Sequence, residues 1–466
     1  MNDSSDRSRL ALSREEMRDF GYRVVDLLSD HFAGVQDGPV GAKADPAQMI
    51  PLFDQDPPEA GRDPNELLAQ LERDVFPNNL HVDHPRFFAF VPGPNNFVST
   101  MADALAAGFN IFNGTWLGGS AAAAVELGVV RWFCRMCGFP TTAGGLFVSG
   151  GSMANLTALV AARHSLLQDR VERATVYFSD QTHSSVERAL RVIGFAPEQM
   201  RKLEADENFR LSIQTLRRAI ADDRANGLRP FCVIANAGTT NTGAVDPLNE
   251  LAELVAKEKL WLHIDGAFGA AAILSDRGRA LLRGLERADS ISLDPHKWLF
   301  QSFECGCVLV RDAAVLKSTF QIKPDYLRDV HRSIEEFNPC DYGVQLTRSF
   351  RALKVWLSLQ TFGVAAFRQA IMRGFELAEV AERELRARKG WEILSPAQMA
   401  TVCFRFGESN ELQTQLVDAM MRDGYALLTS TELRGAVSLR LCTVNPRTTE
   451  VDIVGTVERL DRFARQ

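Results

Sequence analysis

Ser290-Ile-Ser-Leu-Asp-Pro-His-Lys-Trp-Leu-Phe300 is the stretch around which the rest of the chain makes sense. A β-forming run reaches Asp294 and stops at Pro295, which has no N–H to give to a ladder. His296 and Lys297 follow, then the bulky trio Trp298-Leu299-Phe300. A lysine between a strand end and an aromatic cluster sits where burial disfavours the ammonium form. The neutral amine attacks carbonyl carbon, which is how a Schiff-base lysine works. The same pattern also describes a surface lysine after a buried strand, because lysines are mostly exposed. The other strand ends decide between the two.

The chain has 466 residues, 46% apolar and 24% charged, values ordinary for globular proteins. A net charge of −7 and a pI near 5.7 give no basic footprint for nucleic acid. No run approaches the ~20 consecutive apolar residues of a membrane span. The opening Met1-Asn-Asp-Ser-Ser-Asp-Arg7 is polar and unlike a signal peptide, so a cytoplasmic protein is expected. Cys134/Cys137 and Cys305/Cys307 lack a second pair at zinc-finger spacing and read as buried thiols, so no metal is expected.

Three parts are expected. Residues 1–84 carry two amphipathic helices, the first opened by the capping box Ser13-Arg-Glu-Glu16 and the second by Pro64. With little core of their own, they read as a dimerisation segment. Residues 85–365 alternate short apolar runs (86–91, 145–149, 175–179, 231–236, 261–265, 290–294 and 307–311) with helical stretches. That is the rhythm of a mostly parallel α/β sheet covered on both faces, with ligands beyond the carboxyl ends of its strands. Residues 366–466 mix short strands and helices, the pattern of a smaller α/β domain. Between the last two lies a charged stretch, 323–339, that reads as a mobile loop.

Four strand ends carry chemistry. Ser149-Gly-Gly-Ser-Met-Ala-Asn155 precedes a helix, and amides at Ser152 and Met153 suit a phosphate, or the glycines make a plain tight turn. His183, in Asp180-Gln-Thr-His-Ser-Ser185, suits a helix cap or a ring lying on a planar cofactor. Asn236-Ala-Gly-Thr-Thr240 ends a strand with two hydroxyls. Asp265, closing Trp261-Leu-His-Ile-Asp265, needs a cationic partner if buried: an arginine, or a protonated pyridine nitrogen.

Taken in order, Ser-Gly-Gly-Ser, Gln-Thr-His-Ser-Ser-Val-Glu-Arg-Ala, Gly-Thr-Thr, Leu-His-Ile-Asp-Gly-Ala and Asp-Pro-His-Lys-Trp resemble the group II pyridoxal-phosphate decarboxylases, most of all the aromatic-L-amino-acid decarboxylases. The resemblance runs along nearly the whole chain. It implies fold-type I of the pyridoxal enzymes, pyridoxal 5′-phosphate as cofactor, and a homodimer with active sites at the interface. It also implies that Lys297 holds the cofactor, Asp265 pairs with its ring nitrogen and His183 stacks on it. Ser152, Met153 and His296 fall where the family holds the phosphate and its surroundings, and Thr240 where it touches the cofactor. Asp294 stands where many relatives have asparagine near the phosphate, and no phosphate contact is assigned to it.

Tyr326 matches the loop tyrosine that, in the family, helps return a proton to the intermediate. Relatives that form aldehydes with oxygen typically lack that tyrosine or the stacking histidine, and this chain has both. The resemblance puts Phe90, Pro92, Gly93, Phe112, Gly114 and Thr347 around the substrate. Gly93 and Gly114 stand where the animal dopa enzymes carry larger side chains, which implies a wider pocket unless Phe112 refills it. The implied reaction is decarboxylation of tryptophan, phenylalanine, tyrosine or dopa. Decarboxylation of a non-aromatic acid and aldehyde formation are the alternatives.

Overall fold

In a computed structural model, residues 10–322, 325, 329, 330, 333 and 336–466 are described. Seven strands form the central sheet: β1 (Gly144–Val148), β2 (Ala174–Ser179), β3 (Met200–Leu203), β4 (Arg229–Asn236), β5 (Trp261–Asp265), β6 (Ser290–Leu293) and β7 (Gly306–Val310). Their spatial order is β1-β7-β6-β5-β4-β2-β3. β7 runs antiparallel to both neighbours, and the other pairs are parallel. Six strands therefore point their carboxyl ends at one edge. Registry sets Asn236, Asp265 and Ser292 side by side there, with Ile234, His263 and Ser290 two residues back.

β1, β2, β5, β6 and β7 are buried at every position, as two helical layers require. β3 had no signal in the sequence, because Met200-Arg-Lys-Leu203 is a polar edge strand with no buried residue. Residues 86–91 were expected as a strand of this sheet and are not one. Pro85, Pro92 and Pro94 flank the segment and deprive a ladder of donors. It ties to the small domain instead: the Phe88 amide donates to Leu427 O at 2.7 Å, and the Cys442 amide to Phe88 O at 3.1 Å.

The small domain holds an antiparallel sheet of β8 (Trp391–Gln398), β9 (Thr401–Phe406), β10 (Thr429–Leu433) and β11 (Ala436–Cys442), ordered β10-β11-β9-β8. Helices Asn410–Asp423 and Glu450–Ala464 bury Leu416, Met420, Ile453 and Val457 against it. The two helices expected over 348–361 and 364–389 form, following each other within Ala352–Arg386 on either side of the non-helical Gly363, whose φ of +71° is left-handed. Helix Trp116–Met136 is long and apolar enough to cross a membrane, yet Val129, Val130 and Phe133 sit in the main core.

At the amino end the Ser13 capping box forms, with Ser13 Oγ accepting from the Glu16 amide at 3.2 Å. The helix it opens, Arg14–Gly34, buries none of its residues.

Candidate active site

A cleft of about 440 Å³ opens where β1, β2, β4, β5 and β6 end. Each wall follows from a strand-to-helix junction. After β1, helix Gly151–Leu167 starts with its amino end facing the cleft. The Met153 amide already donates to Gly150 O at 2.9 Å, which leaves Gly151 and Ser152 as the open donors of that end. Gly151 must be small: a Cβ there would lie 2.8 Å from Asp294 Oδ2 and 2.9 Å from Ala267 Cβ. After β2, His183 caps helix Ser184–Val192, its Nδ1 accepting the Ser185 amide at 3.2 Å. The neutral ring therefore carries its proton on Nε2. Burial holds His183 below the usual imidazole range, so neutral is the favoured state.

Asp265 ends β5, buried. Its carboxylate accepts from Asn155 Nδ2 at 2.9 Å, Ser292 Oγ at 3.1 Å and the Ala267 amide at 3.2 Å. Burial pushes this carboxyl up, but the charge of Lys297 and the donated hydrogen bonds outweigh it and leave it below the ordinary range. Asp265 stays an anion although it is enclosed.

Lys297 lines the same cleft. Its Nζ lies 3.2 Å from Asp294 Oδ2, and His296 Nε2 lies 3.6 Å from the same oxygen. The apolar trio expected to enclose the lysine instead enters the main core, where Trp298 stacks on Phe268 at 5.3 Å. His296 is fixed by the Cys305 amide, which donates to its Nδ1 at 3.1 Å. Burial again lowers its pKa. Asp294 Oδ1 is buried without a hydrogen-bond partner. An enclosed oxygen of this kind calls for a donor, and none of the described residues supplies one.

Of the expected residues, Lys297, Asp265, His183, Ser152, Met153, Thr240 and His296 all border this cleft. The expected substrate contacts do not. Gly93 borders a second cavity, of about 700 Å³, and a Cβ on it would meet the Phe303 ring at 2.6 Å. Phe112 and Thr347 border a third, of about 650 Å³. Gly114 packs against Leu346 O and the Phe112 ring. Pro92 is buried, and Phe90 is exposed with a left-handed φ of +53°. Glu304 borders both the first and third cavities, and Phe303 both the second and third. Tyr326 lies outside the described residues.

Sequence reasoning missed Asn155, Ser185, His263 and Ser292. His263 did leave a signal: it stands two residues before Asp265, and alternate residues share one face of a strand. Asn155 left another, as a polar side chain within the apolar run of its helix.

This donor set suits pyridoxal phosphate: an amine for its aldehyde, an anion for its ring nitrogen and open helix amides for its phosphate. The comparisons agree. Residues 46–407 match the model of the pyridoxal-dependent decarboxylase conserved domain. An aromatic-L-amino-acid decarboxylase of Bacillus atrophaeus is 50% identical, over 98% of this chain and 97% of its own length. A phenylacetaldehyde synthase of Petunia hybrida is 30% identical, over 94% and 92%. The crystal structure of Oryza sativa TDC with PLP and tryptamine superposes with a TM-score of 0.92 at 29% identity, covering 98% of this chain and 99% of that one. The fold is that of the fold-type I pyridoxal enzymes, and the chain belongs to the pyridoxal-dependent decarboxylase family.

Proposed function

We propose that the enzyme removes the α-carboxylate of an aromatic L-amino acid and releases CO2 and the corresponding amine. The observation that carries this reading is the single cleft shared by Lys297 and the ionised, enclosed Asp265. The chain around it is half identical, along its length, to an aromatic-L-amino-acid decarboxylase. Pyridoxal phosphate, when bound, supplies a conjugated cationic ring that takes up the electron pair of the breaking bond.

The chain's own residues do the rest. Lys297 is the amine that holds the cofactor and gives way to the substrate amine. Asp265, anionic, favours a proton on the ring nitrogen. His183, neutral, presents its Nε2–H to the cleft. Ser152, Met153 and His296 border the phosphate, and Thr240 the ring. Tyr326 returns the proton to Cα, a role that rests on the family resemblance. Phe90, Pro92, Gly93, Phe112, Gly114 and Thr347 form the substrate wall around Phe303 and Glu304, where the three cavities meet.

The active assembly is a homodimer. In support, helix Arg14–Gly34 buries no residue and exposes Met17, Tyr22 and Val25, an apolar face that a second copy would cover. Residues 1–84 are the dimerisation segment, 85–365 the cofactor domain and 366–466 the small domain.

The similarity to a phenylacetaldehyde synthase favours a second reading, oxygen-dependent aldehyde formation. The presence of both His183 and Tyr326 argues against it. Purified enzyme with pyridoxal phosphate is assayed on L-tryptophan, L-phenylalanine, L-tyrosine, L-dopa, L-glutamate and L-2,4-diaminobutyrate, with CO2, amine, aldehyde and peroxide measured. Aromatic amine matched by CO2 is expected. Aldehyde with peroxide selects the second reading, and turnover of the non-aromatic acids alone refutes the aromatic assignment.

A further inference from the structure

Asp265 ends a line of buried polar side chains that the reaction above does not use. Asn155 donates from Nδ2 to Asp265 Oδ2 at 2.9 Å and to Ser185 Oγ at 3.0 Å. Its Oδ1 faces His263 Nε2 at 2.9 Å. His263 Nδ1 lies 2.9 Å from Ser290 Oγ, which Trp261 Nε1 also reaches at 2.9 Å. Asn155, His263 and Ser290 are wholly shielded from solvent.

The direction of this line follows from its ends. An indole N–H only donates, so Ser290 Oγ accepts from Trp261 and is free to turn its own hydrogen to His263 Nδ1. His263 then carries its proton on Nε2 and gives it to Asn155 Oδ1. Both amide hydrogens of Asn155 are left for Asp265 and Ser185. At the other end a carboxylate only accepts, which demands the same amide orientation. Turned over, Asn155 would set its oxygen against the Asp265 carboxylate. Burial also keeps the His263 ring neutral, as the line requires. Ser185 Oγ, 2.8 Å from His183 Nδ1, carries a branch of the line to the other cofactor-facing side chain.

We infer that Asn155 and His263 are positioning residues for the cofactor's ring nitrogen: the line from Trp261 fixes the Asn155 amide as a donor, and that donor keeps Asp265 anionic and in place. The inference rests on the reading of Asp265 as the partner of the ring nitrogen, and it deepens that reading. Without the amide, Asp265 keeps two donors, and an enclosed carboxylate short of donors moves toward its protonated form. A protonated Asp265 has no charge to pair with a pyridinium.

The test compares the binding of two cofactors to apoenzyme by equilibrium titration. One is pyridoxal phosphate, and the other is its deaza analogue, in which a CH replaces the ring nitrogen. Asp265→Asn is the reference and weakens only the natural cofactor. Asn155→Leu, similar in size but without the donor, and His263→Leu are expected to weaken pyridoxal phosphate by about tenfold to a hundredfold, the scale of a hydrogen bond to a charged group. Both should leave the analogue nearly unchanged. His263→Gln can accept from Ser290 and donate to Asn155, so it should bind both as wild type does. Should His263→Leu not fold, Asn155→Leu and His263→Gln carry the comparison.

Equal losses for both cofactors in Asn155→Leu would mean packing damage and would overturn the inference. Wild-type affinity in Asn155→Leu beside a weakened Asp265→Asn would overturn it as well. If Asp265→Asn does not discriminate between the cofactors, the underlying assignment of Asp265 fails, and the inference with it.

Discussion

Arg348 and Glu126 form an ion pair with no side-chain exposure, Nη2 to Oε1 at 2.6 Å. The same guanidinium donates to Phe147 O at 2.6 Å and to Asn113 O at 3.0 Å. Glu126 in turn accepts from Asn113 Nδ2 at 2.6 Å and the Phe147 amide at 3.0 Å. One pair thus fastens β1 to the 112–116 stretch and to the segment before helix Ala352–Arg386. Arg348→Met keeps a long apolar side chain but leaves Glu126 buried without its cation, and two carbonyl oxygens without that donor. Breaking a buried pair on one side costs about 3–5 kcal/mol. At roughly 2.1 cal/mol/K of unfolding entropy per residue, a chain this long unfolds with about 1 kcal/mol/K, so the melting midpoint should fall by about 3–5 °C. Calorimetry on apoenzyme reads it. The double variant Glu126→Gln/Arg348→Met should melt above the value obtained by adding the two single losses, because neither leaves the other's charge stranded. A midpoint within about 1 °C of wild type in Arg348→Met would refute the reasoning.

Acidification should destabilise the protein, with three buried groups setting the window. Burial lowers His84 from 6.5 to about 4 and lowers His263 as well, so each contributes stability present above pH 6.5 and lost as pH falls toward the folded value. Asp246 opposes them: burial raises it from 3.8 to about 6, so its contribution is present at low pH and lost as pH rises through about 6. The melting midpoint should fall from pH 6.5 to 4, and Asp246→Asn should steepen the fall; an unchanged slope in that variant would discredit the assignment. Gly151→Ala should weaken pyridoxal phosphate binding by about tenfold to a hundredfold through overpacking against Asp294 and Ala267, read by titration of apoenzyme. Wild-type affinity would show that the helix start has room to shift. Met17→Glu with Val25→Glu should turn dimer into monomer in analytical ultracentrifugation at micromolar concentration, and a persistent dimer would place the interface elsewhere.

The large sheet was legible because six of its seven strands are short apolar runs ended by glycine, proline or polar residues. Lys297, Asp265, His183, Ser152, Met153 and Thr240, which line the cleft, followed from asking what stands at those ends. What escaped depends on contacts that local pattern does not encode. Residues 86–91 have strand-like composition, but their hydrogen bonds go to a segment more than 300 residues away. Trp298 follows Lys297 directly and still turns the other way, because composition does not say which side of a turn a side chain takes. The substrate wall was drawn from resemblance alone, and in space only Gly93, Phe112 and Thr347 of its six residues border the two cavities beside the cleft.

Helix Ala352–Arg386 has a consequence for how such a protein can change over evolutionary time. Its first half contributes Val355 and Leu359 to the large core, and its last turns contribute Val380, Ala381 and Leu385 to the small one. The change from one core to the other falls between Phe375 and Leu377, past the break at Gly363 and inside a helical turn, so no loop lies at that junction. Exchange of the small lobe between relatives must carry this helix whole or cut through two hydrophobic cores at once.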